Sequence, residues 1–213
     1  MKNIMLAIMG FMLVPTALWA QFDRADNREK FNIGVKGGLN YSNNYDSKGD
    51  KFTADTKVGF AAGGFISIPF TQLLGFQVEA MYSQKGYKEV GEYLGSVYTL
   101  TRTTDYLDIP LLVAIKPAKY LTIFAGPQYS YLMKQKESFE NPLTTFEQKS
   151  DFKNDNIRKN TLGFMGGFDI NVGKFVIGAR AGWDIMNNNG DGTSTNPRYK
   201  NAWTQTTIGL AIL

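Results

Sequence analysis

The 213-residue chain contains no cysteine and no histidine. Without a thiol there are no disulfides, no thiol nucleophile and no lipoprotein anchor attached through cysteine. Without imidazole there is no Ser–His pair or His-based triad, and the usual zinc ligand sets are missing. No enzyme and no cofactor is therefore expected. Charge of one sign is also scarce. Lys and Arg number 23 against 19 Asp and Glu, interleaved without a basic run, so nucleic-acid binding is not expected. After residue 20 no apolar run approaches the ~20 residues that a membrane helix needs.

A barrel strand, in contrast, crosses a bilayer in ~9–11 residues with only every second one apolar. The stretch 106–117, YLDIPLLVAIKP, has that form. Leu107, Ile109, Leu111, Val113 and Ile115 share one strand face. Tyr106, Asp108, Pro110, Leu112, Ala114 and Lys116 share the other. A face that is wholly apolar, backed by one that carries charges, suits a barrel wall set in lipid.

Residues 1–20 read as a secretory signal peptide. Lys2 gives the basic start, residues 4–14 the apolar core, and Ala20 the small residue at the cleavage point. Leu18 stands where such sites usually have Ala, and an uncleaved anchor helix is the rival reading. Residues 21–29, QFDRADNRE, form a periplasmic lead-in, and 30–213 one barrel domain.

Eight segments alternate with period two. They span about 30–41, 56–68, 75–85, 102–116, 120–133, 158–171, 174–186 and 201–213. The connections alternate long and short: 42–55, 86–101, 134–157 and 187–200 are long and polar, whereas 69–74, 117–119 and 172–173 are short. This predicts an all-β fold, an eight-stranded antiparallel up-and-down transmembrane β-barrel in the outer membrane, with short periplasmic turns and long outside loops. Tyr41, Tyr82, Tyr131, Trp183 and Trp203 fall near outer strand ends, where an interfacial aromatic girdle is expected. An exported lipocalin-like barrel would show the same alternation with its faces reversed. Gly59, Gly63, Gly126, Gly178, Gly182 and Gly209 on the polar face favour a narrow, filled interior instead.

Pro110 and Pro127 sit mid-strand without an N–H to donate. A three-residue turn would pair Lys116 with Tyr120, which sets Pro110 opposite Gly126 and Pro127 opposite Ile109. Neighbouring pairs alternate between bonded and non-bonded. One proline should thus interrupt the hairpin itself, and the other an outer neighbour.

Lys36, Glu79, Asp108, Asp169, Arg180 and Asp184 are the predicted interior charges. They fit either a polar channel or a plug of paired charges, and the plug is favoured because eight strands enclose just enough room for side chains. Residues 187–192, NNNGDG, partly match a calcium-loop start. Asn187 replaces the leading Asp and Arg198 the closing Glu, so an ordinary turn is the better reading and no metal is expected.

The motif Tyr106, Leu107, Asp108, Ile109, Pro110, Leu111, followed by Gly126 and Pro127, resembles the PorT-like outer-membrane β-barrel proteins of Bacteroidota. The resemblance runs over 21–213, although Leu213 stands where the family often ends in an aromatic residue. It implies a non-enzymatic barrel with a structural or interaction role, accessory to protein secretion. It implies no catalytic residues. The expected partners are outer-membrane lipid and, through the outside loops, other envelope or secretion proteins. A monomer is expected. A narrow, porin-like transport pore and a soluble periplasmic ligand carrier are the alternatives.

Overall fold

The structure, a computed structural model, describes residues 26, 28–46, 54–93, 96–141, 144–150, 158–187 and 199–212. The signal-peptide reading of 1–20 and residues 188–198 of the calcium-like loop lie outside them. The described residues form nine strands: β1 (Asn32–Asp46), β2 (Ala54–Pro69), β3 (Leu74–Tyr93), β4 (Ser96–Ala118), β5 (Leu121–Asn141), β6 (Thr144–Ser150), β7 (Asn160–Val172), β8 (Phe175–Asp184) and β9 (Tyr199–Ala211). Every pairing is antiparallel. Eight strands close into a ring in the order β1, β2, β3, β4, β5, β7, β8, β9, and β9 returns to β1. The ninth, β6, pairs with the outer half of β5 alone among the described residues.

Face assignment follows the pleat. In β4, Leu111, Val113 and Ile115 are exposed while Tyr106, Asp108, Pro110, Leu112, Ala114 and Lys116 are buried. The same reversal of ordinary globular logic runs round the barrel. Val35, Phe60, Ile123, Phe168, Ile177 and Ile208 face outward, whereas Lys36, Glu79, Thr122, Asp169 and Arg180 are buried. An outward apolar face contradicts the lipocalin-like alternative, which needs its apolar set inside.

Two boundaries move. The β4–β5 turn is Lys119–Tyr120, with Ala118 paired to Leu121, not residues 117–119. With a further irregularity between Ile115 and Ala118, the register shifts by two: Pro110 faces Gln128 rather than Gly126. Pro117 thus ends a strand instead of starting a turn. The β7–β8 turn is Gly173–Lys174, one residue later than predicted, and Gly173 supplies φ of 62°. The ladder is interrupted beside both prolines. The β4–β5 pairing skips Leu111 and Leu112, next to Pro127, and the β3–β4 pairing skips Ile109 and Pro110. Each proline thus sits in a gap on one side only, since Pro127 still pairs with Phe164 of β7.

The larger departure lies at the long-connection end. Residues 86–93 and 96–101 are strand, not loop: β3 and β4 stay paired up to Tyr93 and Ser96. Residues 134–141 likewise continue β5, and 144–150 return as β6. Together they form a ladder that rises past the ring. At its base Gly86 has φ of 143° and lies against the Arg102 carbonyl, where a Cβ would not fit. Ser42 of β1 donates to the Gly86 carbonyl at 2.9 Å and accepts from its N–H at 2.9 Å, next to the β2–β3 register shift between Thr56 and Ala61.

Candidate functional site

At the short-turn end, Asp26 and Arg28 of the lead-in bond to the barrel. Lys116 Nζ donates to the Arg28 carbonyl at 3.2 Å, and Gln72 Nε2 donates to Asp26 Oδ2 at 3.2 Å. Asp26 also takes Arg28 Nη2 at 2.6 Å and the Arg28 backbone N–H at 3.1 Å. The Arg28 side chain, its backbone N–H and the Gln72 amide hold the Asp26 carboxyl well below the usual carboxylate range. A depressed folded-state pKa contributes stability above the ordinary value, and that contribution is lost only as pH falls through the depressed one. Asp26 is therefore expected to stay ionised at about pH 3, where an ordinary Asp is mostly protonated. A carboxyl-carbon NMR titration of Asp26 with its midpoint near pH ~4 would contradict this arrangement.

Inside the ring, the predicted charges fall into a group around Arg180 and a group around Lys85, which also takes in Asp184. Lys36 of β1, Glu79 of β3, Asp169 of β7 and Arg180 of β8 form the first group. Glu79 Oε1 pairs with Lys36 Nζ and with Arg180 Nη2 at 3.3 Å, and Arg180 Nη2 reaches Asp169 at 3.1 and 3.2 Å. Neutral amides complete the shell. Gln77 donates to Glu79 at 2.7 Å, Arg180 donates to Gln205 at 3.4 Å, and Gln205 donates to Asn40 at 2.7 Å. Two cations and two carboxylates leave this group electrically neutral. The cations also lie over rings, Lys36 at 5.3 Å from Phe65 and Arg180 at 4.8 Å from Phe124.

The second group centres on Asp108. It accepts from Lys85 Nζ at 2.9 and 3.1 Å and from Ser130 Oγ at 2.6 Å, while Gln128 donates to Ser130 at 2.9 Å. Lys85 lies 4.9 Å from the Tyr106 ring and 5.0 Å from that of Trp203. Asp184 does not join Arg180 but accepts from Asn201 Nδ2 at 2.6 Å, and Asn201 donates to Tyr106 Oη at 3.5 Å.

Lys85 and Lys116 were missed among the predicted interior charges. Both carry a legible signal, the same strand parity as Glu79 and Asp108 respectively, but each stood at a predicted strand end. Trp203 is a correction of the opposite kind. Tyr41, Tyr131 and Trp183 face outward, whereas Trp203 is buried inside. It shares the parity of inward Gln205, and its indole ring fills the space left open at Gly182.

These groups span the lumen. β3 and β8 stand four places apart in a ring of eight, as do β4 and β9. The Arg180–Glu79 pair and the Asn201–Tyr106 bond therefore cross the barrel from wall to opposite wall. Between them lies a cavity of about 10 Å³ lined by residues including Ser83, Asp108, Met165 and Trp203. That is room for about one water molecule. Among the described residues, no group of three or more His, Cys, Asp and Glu is arranged to hold a metal.

A family model described as the outer membrane protein beta-barrel domain matches residues 19–188. The chain belongs to that family. It is an outer-membrane β-barrel protein. Several solved structures are similar. The attachment invasion locus protein Ail of Yersinia pestis aligns with 14% identity over 85% of this chain and 98% of its own, at a TM-score of 0.48. OprG of Pseudomonas aeruginosa aligns with 13% identity over 85% and 95%, at a TM-score of 0.40. Neisserial surface protein A aligns with 10% identity over 84% and 96%, at a TM-score of 0.46. No curated protein sequence matches the chain.

Proposed function

We propose that this outer-membrane barrel is a sealed, non-enzymatic scaffold. Its outward ladder meets other envelope proteins and serves protein secretion. The observation that carries the sealed reading is the pair of lumen-crossing contacts, Arg180–Glu79 and Asn201–Tyr106, around a one-water cavity. A conducting barrel needs a continuous wet path, and paired charges on opposite walls occupy it. The interaction reading is supported by the ladder. Four strands stay hydrogen-bonded beyond the ring, and an ordered projecting sheet offers a partner a defined surface. The secretion role draws on the likeness of the 106–111 motif, with Gly126 and Pro127, to PorT-like barrels.

The test is to shorten the ladder while the ring stays intact. Replacing residues 89–100 by Asn-Gly joins the paired residues Lys88 and Thr101 through a two-residue turn. The shortened protein is expected to reach the outer membrane at normal level and to keep its heat-modifiable gel shift. Its cells are expected to release less secreted protein into the medium. Unchanged release alongside a normally folded, shortened barrel would contradict the secretion role.

A further inference from the structure

On β3 the buried positions run Glu79, Met81, Ser83, Lys85. Glu79 belongs to the group around Arg180, and Lys85 to the group that includes Asp108. Ser83 stands between the two. The small luminal cavity lies at the same place. Its lining brings Glu79 and Ser83 of β3 together with Asp108 of β4, Met165 of β7 and Trp203 of β9. It therefore touches a carboxylate from each charge group.

Two lining residues carry a polar atom with no hydrogen-bond partner among the described residues, Ser83 Oγ and Trp203 Nε1. Ser83 is 1% exposed and Trp203 5%, so bulk water does not reach them. A buried donor left unpaired is costly, and native interiors rarely keep one. Asp108 has capacity to spare. A carboxylate offers about four lone-pair sites. Three are used, by Lys85 Nζ at 3.1 Å on Oδ1 and 2.9 Å on Oδ2 and by Ser130 Oγ at 2.6 Å on Oδ1. The occupant that completes this set accepts from an indole N–H and a hydroxyl and donates to a carboxylate. A cation cannot take the indole N–H. An anion would sit against both Asp108 and Glu79.

We propose that the cavity is a binding site for one resident water molecule, held by Ser83, Trp203 and Asp108. The volume of about 10 Å³ admits one water and nothing larger. Three partners are the usual number for a buried water, and such waters are costly to remove. With Glu79 in the same lining, the water ties the Arg180 group to the Lys85 group. The plug is then one hydrogen-bonded network across the lumen rather than two separate clusters. The assignment rests on the sealed lumen proposed above, since an open one would exchange this water with bulk. It also gives Trp203 a reason to point inward while Trp183 faces out.

The test is NMR of the folded full chain in micelles, reading cross-relaxation between water and the Trp203 indole N–H, with Trp203→Phe to assign the signal. The unaltered protein is expected to show a water cross-peak of the sign given by a long-lived bound molecule. Ser83→Ala leaves two partners and is expected to keep the peak, which separates bound water from proton exchange relayed through the Ser83 hydroxyl. Ser83→Val fills the cavity and is expected to lose it, with the heat-modifiable gel shift retained as proof of folding. A peak that survives in folded Ser83→Val would overturn the proposal. So would its absence from the unaltered protein, which needs no variant to fold. If the N–H then exchanges slowly into D2O, the water site alone fails and the sealed lumen stands. If it exchanges as fast as a free indole, the sealed reading fails with it.

Discussion

Replacing Arg180 with Met is expected to destabilise the folded barrel by about 3–5 kcal/mol. Arg180 is the cation that reaches both Glu79 and Asp169, and all three side chains are buried. Removing it turns a neutral group into one with two carboxylates and the single cation Lys36. Desolvation of the charges remains while their compensation is lost, which is why breaking a buried pair costs more than the pair's net worth. Adding Asp169→Asn to Arg180→Met is expected to restore part of the loss, because a neutral amide can sit beside Gln77 and Glu79 without an unpaired charge. Urea unfolding of the micelle-folded protein, followed by tryptophan fluorescence, measures both. A loss below about 1 kcal/mol for Arg180→Met, the scale of exposed ion pairs, would mean that the lumen is wet enough to screen the group.

Gly126→Val is expected to cost about 3 kcal/mol, the upper part of the overpacking range. A Cβ at Gly126 would land on the Leu111 carbonyl oxygen and crowd the Leu112 Cα. That obstacle is backbone, and it sits in the ladder gap beside Pro127, where β4 and β5 approach without a paired contact. Closure of the ring pins both strands from their other sides, so neither can yield easily. Gly166→Ala is the matched control. Its Cβ would meet the Phe124 carbonyl at 3.5 Å, an ordinary contact, and little loss is expected. Comparable unfolding midpoints for the two variants would contradict the close-approach account of Gly126.

The contrast between Leu111 and Leu112 shows what could be read from the residues. Strand parity alone sends the first to lipid and the second to the lumen, and the same rule places Asp108, Asp169 and Arg180 inside. Within the membrane one face sees hydrocarbon and the other a packed polar core, so the pattern of residue types and the pattern of environment coincide. Above the membrane both faces of a strand meet water. The apolar alternation then disappears from 86–101 and 134–150 although the backbone pairing continues, and these strands read as loops. Strand stagger has no signature in any one strand, which is why the partners of Glu79 and Asp108 emerged only with the register. Pro117 misled for a local reason. Proline reads as a turn residue, yet the second-last position of β4 also tolerates its missing donor.

Single-channel recording in a planar bilayer tests the central claim, that the lumen is sealed, most directly. Protein that shows the heat-modifiable shift of a closed barrel should insert and leave the current at baseline under an applied voltage. Arg180→Met, if it still folds, should raise leakage, because the contact that crosses from β8 to β3 is gone. Regular ohmic steps from the folded, unaltered protein would contradict the account. They would make the charges at Lys36, Glu79, Asp169 and Arg180 the lining of a pore.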